Sequence, residues 1–257
     1  MPNSEILLRA IPGIPMVEPG DDISQLIADG LRRAGAEWSL ENSDILVVSS
    51  KIISKAENRF VDLRDITPSE QALQLAEETQ KDARLVELAL SQSAELSRTA
   101  PGVMIVRHLL GFISANSGID ASNVGDMGEN IVLLLPESPD DFAAKLRASF
   151  RRQYGVDVGI IISDTHGRPF RLGNIGVAIG IAGVPALIDQ RGDVDLFGRE
   201  LQATVTPLAD ELAAAAGLIS GQADEGQPVV LIRGVAWEES THKAPDMLRP
   251  PEQDLYV

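Results

Sequence analysis

Two aspartates in apolar, glycine-bearing surroundings are the first features of this 257-residue chain that could do chemistry. One is Asp120, in the run Gly111-Phe-Ile-Ser-Ala-Asn-Ser-Gly-Ile-Asp120-Ala-Ser-Asn123-Val. The other is Asp164, in Ile160-Ile-Ile-Ser-Asp164-Thr165-His166-Gly-Arg168-Pro-Phe-Arg171. An Asp at the end of an apolar strand, followed by Thr and Gly, places a carboxylate at the mouth of a sheet. Two such aspartates on adjoining segments suit Mg2+ or Mn2+, hard cations that take oxygen ligands and bridge to phosphates. Singly, each aspartate fits a helix cap or a turn as well. As a pair beside Arg168 and Arg171, they point to chemistry on anions.

A second cluster is Ser49-Ser50-Lys51-Ile-Ile-Ser54-Lys55, directly after the apolar run from Asp44. Hydroxyls and backbone N–H groups at the end of a buried strand can meet an anionic ligand, and two lysines add positive charge that the chain otherwise lacks. A solvated strand end with surface lysines is the competing reading. No GxxxxGK[ST] run is present, which excludes a P-loop, and there is no HExxH or Ser-His-Asp arrangement. Near the N-terminus, Ile11-Pro12-Gly13-Ile14-Pro15 makes a stiff turn that exposes backbone groups and could hold a nucleotide base. The loop from Asp189 to Glu200 sets Arg191 and Arg199 among four acids, as a solvated loop or an ordered substrate loop would.

The elements that must position these residues read as mixed α/β. Short β-branched runs predict strands at 44–50, 103–106, 131–135, 158–162 and 229–232. Thr67-Pro68-Ser69-Glu70 has the order of a helix start, a hydroxyl cap with Pro in the first turn and Glu three residues on, and predicts a helix running to about Leu96. Helices are also expected over 140–154 and 208–219, the second so rich in alanine that it must pack closely on a neighbour. Gly173, Gly176, Gly180 and Gly183 are not spaced as GxGxxG and are read as points of close backbone approach. The proline-bearing tail from His242 is expected to run extended. The regular strand–helix rhythm of a doubly wound sheet or an eightfold barrel is missing.

Composition narrows the field. The chain is 44% hydrophobic and 23% charged, enough apolar material for a real core. A formal charge of −16 argues against nucleic-acid binding, which rests on clustered Lys and Arg. Without cysteine there are no disulfides, thiolate metal sites or Cys nucleophile. No apolar run approaches the roughly 18 residues of a membrane span, and no secretion signal is visible, so a cytoplasmic location without membrane partners is expected.

Taken in order, the blocks IPGIP, GDDI, DILVVSSKIISKAE, HLLGFISANSGIDASNV, ISDTHGRPFRLG, VAIGIAG, DQRGDVDLFGREL and DELAAAAGLISG resemble the coenzyme F420-0:gamma-glutamyl ligase family, from about residue 9 to 237. The chain is similar to the stand-alone form, one ligase domain over 1–257 with two subdomains. The resemblance implies an unusual two-part α/β fold, an intertwined homodimer, and a GTP- and divalent-metal-dependent ligase using Mg2+ or Mn2+, with K+ as a candidate further ion. The implied substrates are L-glutamate and F420-0, a deazaflavin bearing a phospholactyl carboxylate. It also implies Asp120, Asp164 and Thr165 at the metal, with Asp120, Asp164 and Lys55 catalytic. Pro12, Gly13, Ile14, Pro15, Ser49, Ser50, Lys55, Asn123 and the loop Gly221, Gln222, Ala223, Asp224, Glu225, Gly226, Gln227 and Pro228 would hold the guanine nucleotide. The rival readings are the same chemistry on another carboxylate acceptor, a non-catalytic GTP-binding protein, and a metal phosphohydrolase.

Overall fold

The computed structural model describes residues 5–125 and 128–253. Its centre is a five-stranded sheet built from β1 (Leu7–Ala10), β2 (Ile45–Ser49), β8 (Gly159–Arg168), β9 (Arg171–Ala182) and β12 (Val229–Arg233), in the spatial order β1-β12-β2-β8-β9. All neighbours run antiparallel except β2 and β8, which are parallel and in register from Ile45↔Gly159 to Ser49↔Ser163.

The near-continuous apolar runs of β2, β8 and β12 follow from burial on both faces. Leu46, Val48, Ile160, Ile162, Val229 and Leu231 face α1 (Ile23–Ala34), α2 (Ser50–Ala56) and α5 (Pro139–Tyr154), in one large core that includes Ile27, Ile53 and Phe150. The alternate residues Ile45, Val47, Ile161, Val230 and Ile232 face α6 (Leu208–Ser220) across Ala209, Leu212, Ala213 and Ala216. The alanines expected to pack closely do so.

Between α2 and α5 the chain leaves this sheet. It forms β3 (Phe60–Asp62), α3 (Glu70–Thr79), α4 (Ala83–Ser91), β4 (Ser93–Ala100), β5 (Val103–His108), β6 (Ile113–Ala115) and β7 (Ile131–Leu133). β4-β5-β6 make one small sheet and β3-β7 another, over two small cores centred on Met104 with Val106, and on Leu88 with Val132. Late in the chain, β10 (Ile188–Asp189) and β11 (Val205–Thr206) pair at the base of a long loop.

The single helix expected from 67 to about 96 is corrected to two helices and a strand. α3 ends at Gln80, whose φ of 55° is left-handed, and Asp82 caps α4 by accepting from Arg84 N. Leu96 then lies in β4, paired with Val106. The tail is not wholly extended, since short 3-10 turns occupy Ala244–Met247 and Pro251–Gln253. Among the described residues no helix is long and apolar enough to cross a membrane.

Of the four glycines in the run after Arg171, two meet the backbone of the flanking helices and Gly183 meets the Arg147 side chain of α5. A Cβ on Gly176 would come within 2.6 Å of the Ala213 carbonyl oxygen on α6, and one on Gly180 within 2.5 Å of the Pro139 backbone at the start of α5. β9 is thus held against a helix on each face at backbone distance. Gly180→Ala is expected to cost about 1–3 kcal/mol through overpacking. Gly167→Ala, whose Cβ would meet nothing closer than 3.9 Å, should be near neutral. Urea unfolding of the two variants against the parent checks this, and equal midpoints would refute it.

Candidate active site at the ends of the parallel strands

Adjacent parallel strands that end together leave a crevice beyond their carboxyl ends, with no chain continuing the ladder. β2 and β8 end their pairing at Ser49↔Ser163, and the next residues on each, Ser50 and Asp164, face one another. The Ser50 hydroxyl, buried at the start of α2, donates to Asp164 Oδ1 at 2.9 Å. Asp164 does not end its strand as expected. β8 runs on to Arg168 as one arm of a hairpin with β9, so the carboxylate projects from strand backbone rather than from a loop.

Asp120 comes from the segment between α2 and α5. Its backbone exchanges hydrogen bonds with Leu133 of β7, which fixes its height over the sheet end. Its carboxylate accepts from Ser122 N and Oγ, both at 2.7 Å, and lies 2.6 Å from Lys51 Nζ. Burial works to raise the pKa of Asp120. The hydrogen bonds from Lys51 and Ser122 outweigh it and hold the carboxyl below its ordinary range, so Asp120 is an anion at neutral pH.

Asp120, Asp164, Thr165, Ser50 and Lys51 line one cavity of about 330 Å3. A second, of about 450 Å3, is lined by Ile14, Pro15, Lys55 and Asn123 and by the loop after α6 from Gly221 to Pro228, Glu225 apart. Its size falls within the roughly 300–1,000 Å3 of small-molecule sites. Ser49, Lys51, Ser163, Thr165 and Gln222 line both, so the cavities are two chambers of one crevice. Two hydrogen bonds pin the loop across the junction, Gln222 Oε1 accepting from Thr165 Oγ1 at 3.0 Å and Ala223 O from Asn123 Nδ2 at 3.0 Å.

Most of the residues singled out from the sequence therefore meet here. Pro12, Gly13 and Glu225 do not line either chamber: Gly13 O accepts from Arg33 at 2.6 Å, and Glu225 turns back to accept from Ala223 N. Ser50 lines the carboxylate chamber instead of the larger one. Lys51, read from the sequence with Lys55 as positive charge for an anionic ligand, lines both chambers and neutralises Asp120. Its pairing with Asp120, 69 positions away, had no local signal. Lys55 is 5% exposed, its carbonyl accepts from Asn58 N, and its ammonium makes no hydrogen bond or ion pair among the described residues. Burial, then the charge of Lys51, lowers its pKa, against an opposing pull from Asp120.

Among the described residues no three acidic or histidine side chains converge as a self-sufficient metal site. Two carboxylates flanked by the Ser50 and Thr165 hydroxyls nonetheless fit a hard divalent cation that completes its shell with water and phosphate oxygens, the usual habit of Mg2+.

Behind Asp164 lies an aromatic column. His166 Nε2 sits 3.1 Å from Asp164 Oδ2, its ring tilts against Phe112 at 4.9 Å, and Phe112 stacks on His108 at 5.3 Å. His108 Nδ1 accepts from Leu110 N at 2.9 Å, which requires a neutral imidazole.

The comparison with known proteins gives the class of protein that carries this two-chambered crevice as a ligase. The chain belongs to the F420-0:gamma-glutamyl ligase family, whose sequence model matches residues 13–234. It is 44% identical over 253 residues to the coenzyme F420:L-glutamate ligase of Methanothermobacter thermautotrophicus, covering 98% of each chain. It is equally identical to that of Methanopyrus kandleri, over 97% of this chain and 96% of the relative, and 42% identical to that of Archaeoglobus fulgidus, over 95% and 94%.

Burial lowers the pKa of His108 to about 4, with Arg59 and His166 adding to the effect and Asp164 opposing it. The folded state thus resists a proton that the unfolded chain accepts below about 6.5. The stability this confers is complete above pH 6.5 and is lost as pH falls towards 4. Between those limits the parent should lose about 2–3 kcal/mol more than His108→Asn, which keeps an acceptor for Leu110 N but does not titrate. Denaturant unfolding at pH 7 and pH 4.5 measures the difference, and parallel losses in the two proteins would refute it.

Proposed function

We propose that the chain joins L-glutamate to the phospholactyl carboxylate of F420-0 at the expense of GTP, and then adds further glutamates through the γ-carboxylate. The observation that supports this best is the shared lining of the two chambers. A nucleotide in the larger one would direct its terminal phosphate past Lys51 and Thr165 to the carboxylate pair.

A carboxylate is a poor electrophile in water until one oxygen becomes a good leaving group. In this reading an oxygen of the acceptor carboxylate attacks the γ-phosphorus of GTP, the bond from phosphorus to the β,γ-bridging oxygen breaks, and GDP leaves. The glutamate nitrogen then attacks the acyl carbon, the C–O bond to phosphate breaks, and phosphate departs with the former carboxylate oxygen while the nitrogen gives up its protons to solvent. Mg2+ or Mn2+, held by Asp120 and Asp164 beside Thr165, would neutralise the phosphate charges. Ser50 holds the Asp164 carboxylate in position, and Ser122 that of Asp120. Lys51 keeps Asp120 neutralised before the cation arrives and is placed to turn to the transferring phosphate. Lys55, lacking a carboxylate partner, offers its charge to the nucleotide.

The homodimer belongs to the same proposal. Leu172 on β9 and Leu196 and Phe197 in the loop between β10 and β11 are 96%, 99% and 89% exposed, apolar side chains that a second copy would cover. Light scattering should give twice the chain mass, and a monomer at micromolar concentration would sink this part.

The direct test supplies F420-0, GTP, Mg2+ or Mn2+, and L-glutamate labelled at neither oxygen nor nitrogen, with the acceptor carboxylate 18O-labelled. Product mass should rise by whole glutamyl residues, and the phosphate released in the first addition should carry one labelled oxygen, that from later additions none. Unlabelled phosphate from the first addition would exclude the acyl phosphate, and GTP cleavage without glutamate incorporation would identify a hydrolase. Asp120→Asn and Asp164→Asn should each lower turnover roughly a thousandfold at saturating metal.

A further inference from the structure

A third cavity, of about 400 Å3, opens on the other side of His166 and has no part in the chemistry above. It lies between β9, the starts of α5 and α6, and the turn at Ala244–Met247. Its apolar wall comes from Leu110, Phe112, Val177, Ile179, Met247 and Leu248. Phe112 and the imidazole of His166 add two ring surfaces, in a chain with only six Phe, two Trp and two Tyr. Apolar walls with aromatic faces suit a flat ring, through area burial and offset stacking.

The polar groups decide what kind of ring. Glu137, Asp140, Asp141 and Asp210 line the cavity against one lysine, Lys243. Asp140 is committed to the fold, accepting from Ile181 N and Ala244 N. Asp210 accepts from Ala178 N at 2.8 Å through Oδ1, and its Oδ2 receives no hydrogen bond from the described residues. A lining with this excess of carboxylates repels phosphates and dicarboxylates, which removes GTP and glutamate as occupants. It favours an uncharged ligand with N–H or O–H groups to donate.

Position completes the case. His166 lines this cavity, and its Nε2 touches Asp164, which lines the carboxylate chamber. One imidazole therefore separates the two spaces. We infer that the third cavity is the subsite for a flat, uncharged, N–H-bearing heteroaromatic ring, whose attached arm rounds His166 to present its carboxylate beside Asp164. This rests on the proposed ligase reading, in which the ring is the deazaflavin end of the acceptor, taken up with its 8-hydroxyl protonated, and Asp210 Oδ2 takes a ring N–H.

The test uses the whole protein and a probe without phosphate, an 8-hydroxy-5-deazaflavin carrying its ribityl chain, at about pH 5.5 so that the conjugated 8-hydroxyl stays protonated, followed by its fluorescence anisotropy. Pro245→Trp and Met247→Trp each place a bulky side chain in the cavity from its partly or fully exposed turn, so one serves if the other misfolds. A non-hydrolysable GTP analogue is titrated in parallel to show that the chambers are intact. The expected result is saturable probe binding to the parent, weakened at least tenfold in either Trp variant, with analogue binding unchanged. Unchanged probe affinity in a folded variant would overturn the subsite and leave the ligase reading standing. No binding of probe to the parent, with F420-0 still glutamylated, would do the same. Failure of F420-0 itself to bind or react would remove the ligase reading, and the inference with it.

Discussion

The parallel pairing of β2 with β8 is the constraint on which the rest of the molecule depends. Parallel neighbours cannot be joined by a tight turn, so the chain must cross from one end of the sheet to the other. Here the crossover carries a whole additional segment, more than 80 residues from the end of α2 to the start of α5. The same pairing brings two strand ends to one level, where Ser50 meets Asp164 and backbone polar groups lose their ladder partners. The detour supplies Asp120, and the crevice supplies the place to which it is delivered.

Around that point the structure solves an electrostatic problem. Two half-buried carboxylates that line one chamber stay charged only where cations or hydrogen-bond donors attend them. Asp164 is met by Ser50 and His166, and Asp120 by Ser122 and Lys51. The overall acidity of the chain makes Lys51 and Lys55 conspicuous, because both sit on the short helix that springs from β2. Positive charge is thus concentrated where a polyanion would enter, while the third cavity stays net negative.

Much of this was legible in the residues, and the failures have identifiable causes. The strands at 45–49, 103–108, 131–133 and 229–233 announced themselves through β-branched runs that pack on both faces or on a small core. β9 did not, because a strand with glycine at 173, 176 and 180 violates strand preference, and the helices pressing on both faces explain it at Gly176 and Gly180. β4 was read into a helix because SAELSRTA has no strand alternation strong enough to overrule the preceding helical spacing, and its conformation is set by pairing with β5. The blocks holding Asp120, Asp164 and Thr165 stood out by type and order. The Ser50–Asp164 bond, the Lys51–Asp120 pair and the Gln222 contact with Thr165 join residues 57 to 114 positions apart, and no local pattern encodes such encounters.

The two carboxylates belong to different cores. Asp164 moves with the large sheet, while Asp120 is tied through Leu133 to a small sheet of the inserted segment. Their separation is consequently a gauge of how the segment seats on the sheet. Because Lys51 on α2 of the large core holds Asp120 at 2.6 Å, any tilt of the segment against the sheet would strain that ion pair as it changed the gap between the carboxylates, so one lysine stitches the two cores together at the point where their carboxylates meet.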